Sequence, residues 1–338
     1  MPNARVATPR ARRRAIAASV LLACLFFAGG CKTSDDAAAA ATQLTATAKS
    51  LTDYYSALDT ILAQTDQLNA VQVVLYGIPY DDATKAQITD TRAEIQKRAA
   101  LAKDLTDLAQ NFAKLTGSTA STDASASAVQ LETEVESLKL TKSKMGSDEQ
   151  NLMKIAVGLV VTAIQEHKER EAAQGISKFT TALNGFFTKE APDYISLNDD
   201  YRSISSSLAK SLLQNGQTDP SSFFKVALDP YGLTPEVTDS KLRKDIEKLA
   251  EAQVDQTSAD LQKSQQDATD SMEKSLKQMA DRIVLVANDK PMQARTAPVT
   301  LADVEKWASQ FTTSTQSTAT TTPAKTPASP AKTATKTK

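Results

Sequence analysis

One histidine, two cysteines and a few closely spaced carboxylates are the side chains of this 338-residue chain that invite a chemical reading. His167 lies in the polar run Gln165-Glu166-His167-Lys168-Glu169-Arg170-Glu171. A Ser-His-Asp relay would rest on it alone. A zinc-protease helix needs two histidines, and a di-iron bundle needs two Glu-x-x-His motifs. A lone histidine in a charged run reads as a solvated helix face. Glu132/Glu136 and Asp199/Asp200 could in principle share acid and base roles, but on amphipathic helices they read as hydrated outer faces. No Gly-rich phosphate loop, nucleophile elbow or dinucleotide fingerprint occurs. The cysteines are more informative. Cys31 ends the stretch Leu21-Leu22-Ala23-Cys24-Leu25-Phe26-Phe27-Ala28-Gly29-Gly30-Cys31, and Arg5, Arg10, Arg12, Arg13 and Arg14 precede it without an acidic residue. A basic start, a short apolar run and small residues at its end read as an export signal, too short for a lasting membrane span.

A cysteine directly after two glycines at the end of such a run resembles the lipobox of bacterial lipoproteins. The resemblance covers about the first 31 residues. It implies diacylation of Cys31, cleavage after Gly30 and a body held on a membrane by lipid. Ala28 stands where the family usually carries leucine. Cys24, after Leu21-Leu22-Ala23, is the rival acceptor; cleavage there would shorten the apolar core and leave Leu25-Phe26-Phe27 on the mature end. Lys32 follows Cys31 where an aspartate would oppose outer-membrane sorting, so the resemblance implies an outer-membrane anchor facing the periplasm in a cell with two membranes. Arg12-Arg13 also matches a twin-arginine pair, which basic leaders often contain. Each buried acyl CH₂ contributes roughly 0.8 kcal/mol, and more than one chain makes attachment durable.

With Cys24 removed and Cys31 lipidated, the body has no thiol, which excludes disulfides, cysteine metal sites and cysteine nucleophiles there. Loss of the five leader arginines leaves 34 basic against 40 acidic side chains, a balance of about −6. An acidic body argues against a nucleic-acid surface. Aromatics are 5% of the chain and glycines number 10. With Ala, Leu, Gln, Lys and Glu abundant, the composition predicts helices in slim bundles.

Periodicity predicts where the helices lie. Leu44, Leu51 and Leu58, with Tyr54, Ile61, Leu68 and Leu75 three residues on, form an a/d seam from about Ala40 to Leu75. Thr47 and Thr65 are polar members of it, and Gln72 breaks it. Gly77-Ile78-Pro79 stops the helix, and Asp81 or Asp82 caps the next, from about Ala83 to Leu115, on Ile88, Ile95, Ala102, Leu105, Leu108, Phe112 and Leu115. The short connection predicts an antiparallel hairpin. A third helix over 125–142 uses Leu131, Val135 and Leu138; a fourth runs from Asp148 to about Thr188; Pro192 opens a fifth, ending near Gly216. After a joint at 214–235 that carries Phe223 and Phe224, a long helix runs from about Thr234 to Ala287. It has apolar ends and a polar middle (260–270) that is either exposed or broken. Thr300 to Asp303 resembles a capping box opening a last helix with Val304, Trp307 and Phe311 on one face. Residues 312–338 are mostly Thr, Ala, Pro and Lys, a composition that cannot bury a core; the lysines are suited to anionic envelope polymers.

The chain is therefore expected to comprise a signal peptide (1–30), a lipidated tether (31–41), an all-helical bundle (42–311) and a disordered tail (312–338). The expected fold is all-α, an elongated bundle with coiled-coil-like antiparallel hairpins. The expected function is that of a non-enzymatic envelope scaffold or adaptor, bound to the membrane through Cys31 and to an envelope protein or polymer, without cofactor or metal. The apolar run Leu152, Ile155, Leu159, Val160, Ile164 is either buried core or an interaction surface. Two other readings are a carrier whose pocket is lined by Phe179, Phe186, Phe187, Phe223 and Phe224, and a membrane-remodelling or pore-forming protein using the 152–164 run.

Overall fold

The computed structural model describes residues 9–115, 121–137, 147–165, 168–220, 230, 239–288 and 299–316, with side chains of the first helix described from residue 39 onward. Among them the fold is all-α, seven helices and no strand: α1 Pro9–Tyr76, α2 Asp82–Leu115, α3 Ser121–Ser137, α4 Ser147–Gln165, α5 Glu169–Gln214, α6 Ser240–Ala287 and α7 Ala302–Gln316. The helices expected within 42–311 that fall on described residues are present, with different boundaries. The tail expected from 312 does not begin there, because residues 312–316 continue α7; residues 317–338, Phe223, Phe224, Leu138 and His167 lie outside the described residues.

The seam of α1 buries Leu44, Leu51, Tyr54, Leu58 and Ile61. Its polar members are satisfied. Thr47 Oγ1 bonds Ser275 Oγ (2.8 Å), and Thr65 Oγ1 donates to the Ile61 carbonyl (2.9 Å). The helix does not begin at residue 40. It continues back through the expected tether, and Ala40 and Ala41 already belong to the core. At its other end the seam fails at Leu75, which is exposed. Gly77 then reverses the chain at φ 64°, a conformation that favours glycine. Asp81 caps α2, its Oδ1 accepting from the Thr84 amide at 2.6 Å. Asp59 with Arg92 (2.9 Å), and Asp66 with Tyr80 (2.5 Å), tie the two arms of the hairpin.

α6 lies antiparallel to α1 along a ladder of side-chain bonds: Gln43 to Gln278 (2.8 Å), Thr47 to Ser275, and Tyr54 to Thr269 (2.8 Å). α5 pairs with α6 in the same sense, through Gln265 to the Tyr194 carbonyl (2.8 Å) and Arg202 to Ser258 Oγ (2.7 Å). The polar middle of α6 does not break. Gln265, Ala268 and Thr269 turn inward there while the other faces meet solvent. Its first turns depart from expectation: Leu242 and Leu249 are exposed. α7 docks where predicted, with Val304, Trp307 and Phe311 buried. Thr300 accepts weakly from the Ala302 amide (3.4 Å), while Asp303 takes a bond from Ser271 instead of completing the capping box (3.0 Å).

The break after α4 falls near residue 168, not near Pro192. Pro192 is interior to the 46-residue α5. A proline there deprives the helix of one hydrogen bond and costs about 3 kcal/mol. Buried anchors on both sides, Glu190 and Tyr194, hold the helix through it.

Candidate functional site

The fourth helix answers the question that the 152–164 run poses, by division. Met153, Ala156, Val157, Val160 and Ala163 face the core, whereas Leu152 (55% exposed), Ile155 (61%) and Leu159 (42%) face outward. Spacings of three and four put these three side chains on one stripe. Val160 belongs to the buried face, at 1% exposure, and is withdrawn from the surface. It is held there by α5: a Cβ built on Gly175 would lie 2.6 Å from Val160 Cγ2 and 3.1 Å from the Ala156 carbonyl oxygen. Only a glycine lets the two helices meet so closely. The side chain of Ile164 lies outside the described residues.

A second apolar patch escaped the sequence reading. The tip of the α1–α2 hairpin exposes Val71, Val73, Val74 (83%), Leu75 and Ile78. At 100° per residue, Val71, Val73, Val74 and Leu75 leave the helix in different directions, so the tip is apolar around its circumference. The failed seam at Gln72 was the available signal. Tyr76 and Tyr80 flank it in the sequence. Tyr80 donates to Asp66, and its pKa is pushed up to about 12 by burial and by the Asp66 carboxylate.

Between the helices lies a buried polar centre. Arg98 on α2 grips Glu190 on α5 in a bidentate pair (Nε to Oε2 2.8 Å, Nη2 to Oε1 2.6 Å), and a third donor reaches the Glu94 carbonyl (2.8 Å). Tyr194 also donates to Glu190. Burial opposes the Arg98 charge, but the bonds to Glu190 outweigh it and raise the arginine pKa. Burial, then the neighbouring Tyr55 and Glu190, hold Tyr194 well above the usual phenol range. Every charge here is neutralised inside the protein, so the centre fastens α2 to α5. Around it Tyr54, Tyr55, Phe187, Tyr194 and Trp307 pack ring to ring, with centroids of contacting pairs 4.8–6.4 Å apart. Phe179, Phe186 and Phe187 are core residues.

The other chemical candidates are dispersed. Cys31 lies within α1, and nothing is described of its side chain. Glu132 is half-buried and Glu136 exposed on α3. Asp199 is paired with Arg202 (2.9 Å), and Asp200 faces solvent. Among the described residues no group of three or more His, Cys, Asp or Glu is arranged to hold a metal ion, and no helix is long and apolar enough to cross a membrane. A cleft of about 540 Å³ opens between α5 and α6, lined in part by Tyr201, Leu213, Pro220, Val254 and Leu261. No family model, curated protein or solved structure matches this chain.

Proposed function

We propose that this protein is a lipid-anchored, non-enzymatic helical adaptor of the cell envelope, fixed to a membrane through Cys31 and binding another envelope component through apolar patches on its body. The observation that supports this most directly is the outward stripe Leu152, Ile155 and Leu159, three large apolar side chains on a helix whose opposite face already fills the core. Each of these half-exposed residues forgoes about 1 kcal/mol of burial in the free protein, which a partner surface recovers. A photo-crosslinker at Ile155 in intact envelopes should capture one reproducible adduct, which Leu159→Glu removes. A specific adduct from neither Ile155 nor Val74 overturns the adaptor reading. The anchor is tested separately: a palmitate analogue should label the wild type and fail to label Cys31→Ser, and unchanged labelling sinks it.

The cleft between α5 and α6 supports carriage of an apolar ligand as a second reading, through different residues from the phenylalanines first suspected. Native mass spectrometry of the purified chain separates the two, because a carrier retains a co-purified small molecule and an adaptor does not. For a membrane-remodelling role, the three-residue stripe offers little area to insert.

A further inference from the structure

We propose that α3 is an acid-closed clasp on α2, held while the buried Asp104 carboxyl is protonated and released as it ionises. The two helices run antiparallel, with a register marked by the bond from Asn111 Nδ2 to Ser127 Oγ (2.8 Å). That register sets Asp104 on α2 opposite Glu134 on α3. Asp104 is only 3% exposed, and its Oδ2 has no hydrogen-bond partner among the described residues. A buried carboxylate oxygen without a donor is costly, and a second carboxylate facing it makes ionisation costlier still.

Lys103 eases the Asp104 charge less than burial and Glu134 oppose it. Lys103, the neighbour of Asp104, is exposed and bonds Asp107 at 3.1 Å. Among the described residues, Glu134, Lys103 and Asp107 are the charged groups that act on Asp104, and the described side chains of the flanking α1 and α4 contribute none. A proton on Asp104 removes both the buried charge and its repulsion by Glu134. Burial first, and Glu134 second, raise the Asp104 pKa to about 6.

The sign follows from where the proton sits. Between about pH 4 and 6 the closed helix pair keeps a proton that an open pair, with an ordinary carboxyl, has released. Closure is therefore strongest in acid, weakens as pH rises through this window, and levels off above it. The apolar grip that remains is small, because α3 buries Ala128, Leu131 and Val135 alone among its described apolar side chains. α3 packs on both α2 and α4, so its release loosens the connection between them.

Amide hydrogen exchange over residues 126–137, normalised to the unstructured rate at each pH, tests this in the full chain. The opening constant of α3 should rise about tenfold between pH 4 and pH 7, within the roughly hundredfold ceiling that two pKa units allow. Asp104→Asn should hold it at the low, acid value throughout. A flat profile in the wild type, or an unchanged slope in Asp104→Asn, overturns the proposal. Should that variant fail to fold, the carboxyl-carbon titration of Asp104 in the wild type decides: a midpoint near 6 that Glu134→Gln lowers supports the clasp, and one near 4 sinks it.

Discussion

Arg98 shows how one residue can cost little in place and much when removed. Its charge is buried, but three donors are used and Glu190 answers it in a bidentate fork. Breaking such a pair strands the partner, so Arg98→Met should destabilise the chain by about 3–5 kcal/mol in urea unfolding, while Arg98→Met with Glu190→Met should recover a large part of that loss. Gly175 is the steric counterpart. Gly175→Ala places a methyl group against Val160 and the Ala156 carbonyl. It should cost about 1–3 kcal/mol, of which Val160→Ala restores only a fraction, since the backbone contact stays. Neither residue was legible beforehand. An arginine 92 positions from its carboxylate leaves no periodic trace, and a helical glycine looks alike whether a neighbour crosses it or not. His167 and the carboxylate pairs could be weighed from sequence because chemistry needs partners that composition can deny.

At the scale of the element, periodicity carried much of what was right. The α1 seam, the hairpin turn, the Asp81 cap and the Trp307 face follow from spacing and capping chemistry that are local. What misled was also local. Pro192 is a breaker on its own terms, but Glu190 and Tyr194 are buried beside it, and that tertiary anchoring outweighs the lost bond. Leu242 and Leu249 sit at helical spacing yet face water, because periodicity tells which residues share a face and not whether anything covers it. The 152–164 run was undecidable for the same reason, since each of its two faces is apolar. The ladder between α1 and α6 offers a test of how register is kept. Thr47→Val leaves Ser275 without its partner and should cost about 1–3 kcal/mol; adding Ser275→Ala should bring stability back close to wild type. Thermal unfolding of the four members of the cycle measures this coupling.

For the molecule as a whole, the decisive contact joins the first described helix to the last. Trp307 on α7 packs on Tyr54 of α1 at 4.8 Å between ring centroids, and α7 also lies against α6. Trp307→Ala should therefore cost about 3–5 kcal/mol and raise dye binding at the α1–α6–α7 junction, well beyond the effect of removing one surface helix. The same closure has a consequence for how the polypeptide is made. A chain made amino end first can cover Tyr54 with α5 and α6 but completes the packing of its ring only once Trp307 of α7 is available. Truncation before α7 should therefore leave that junction open, read as increased dye binding and faster amide exchange around Tyr54.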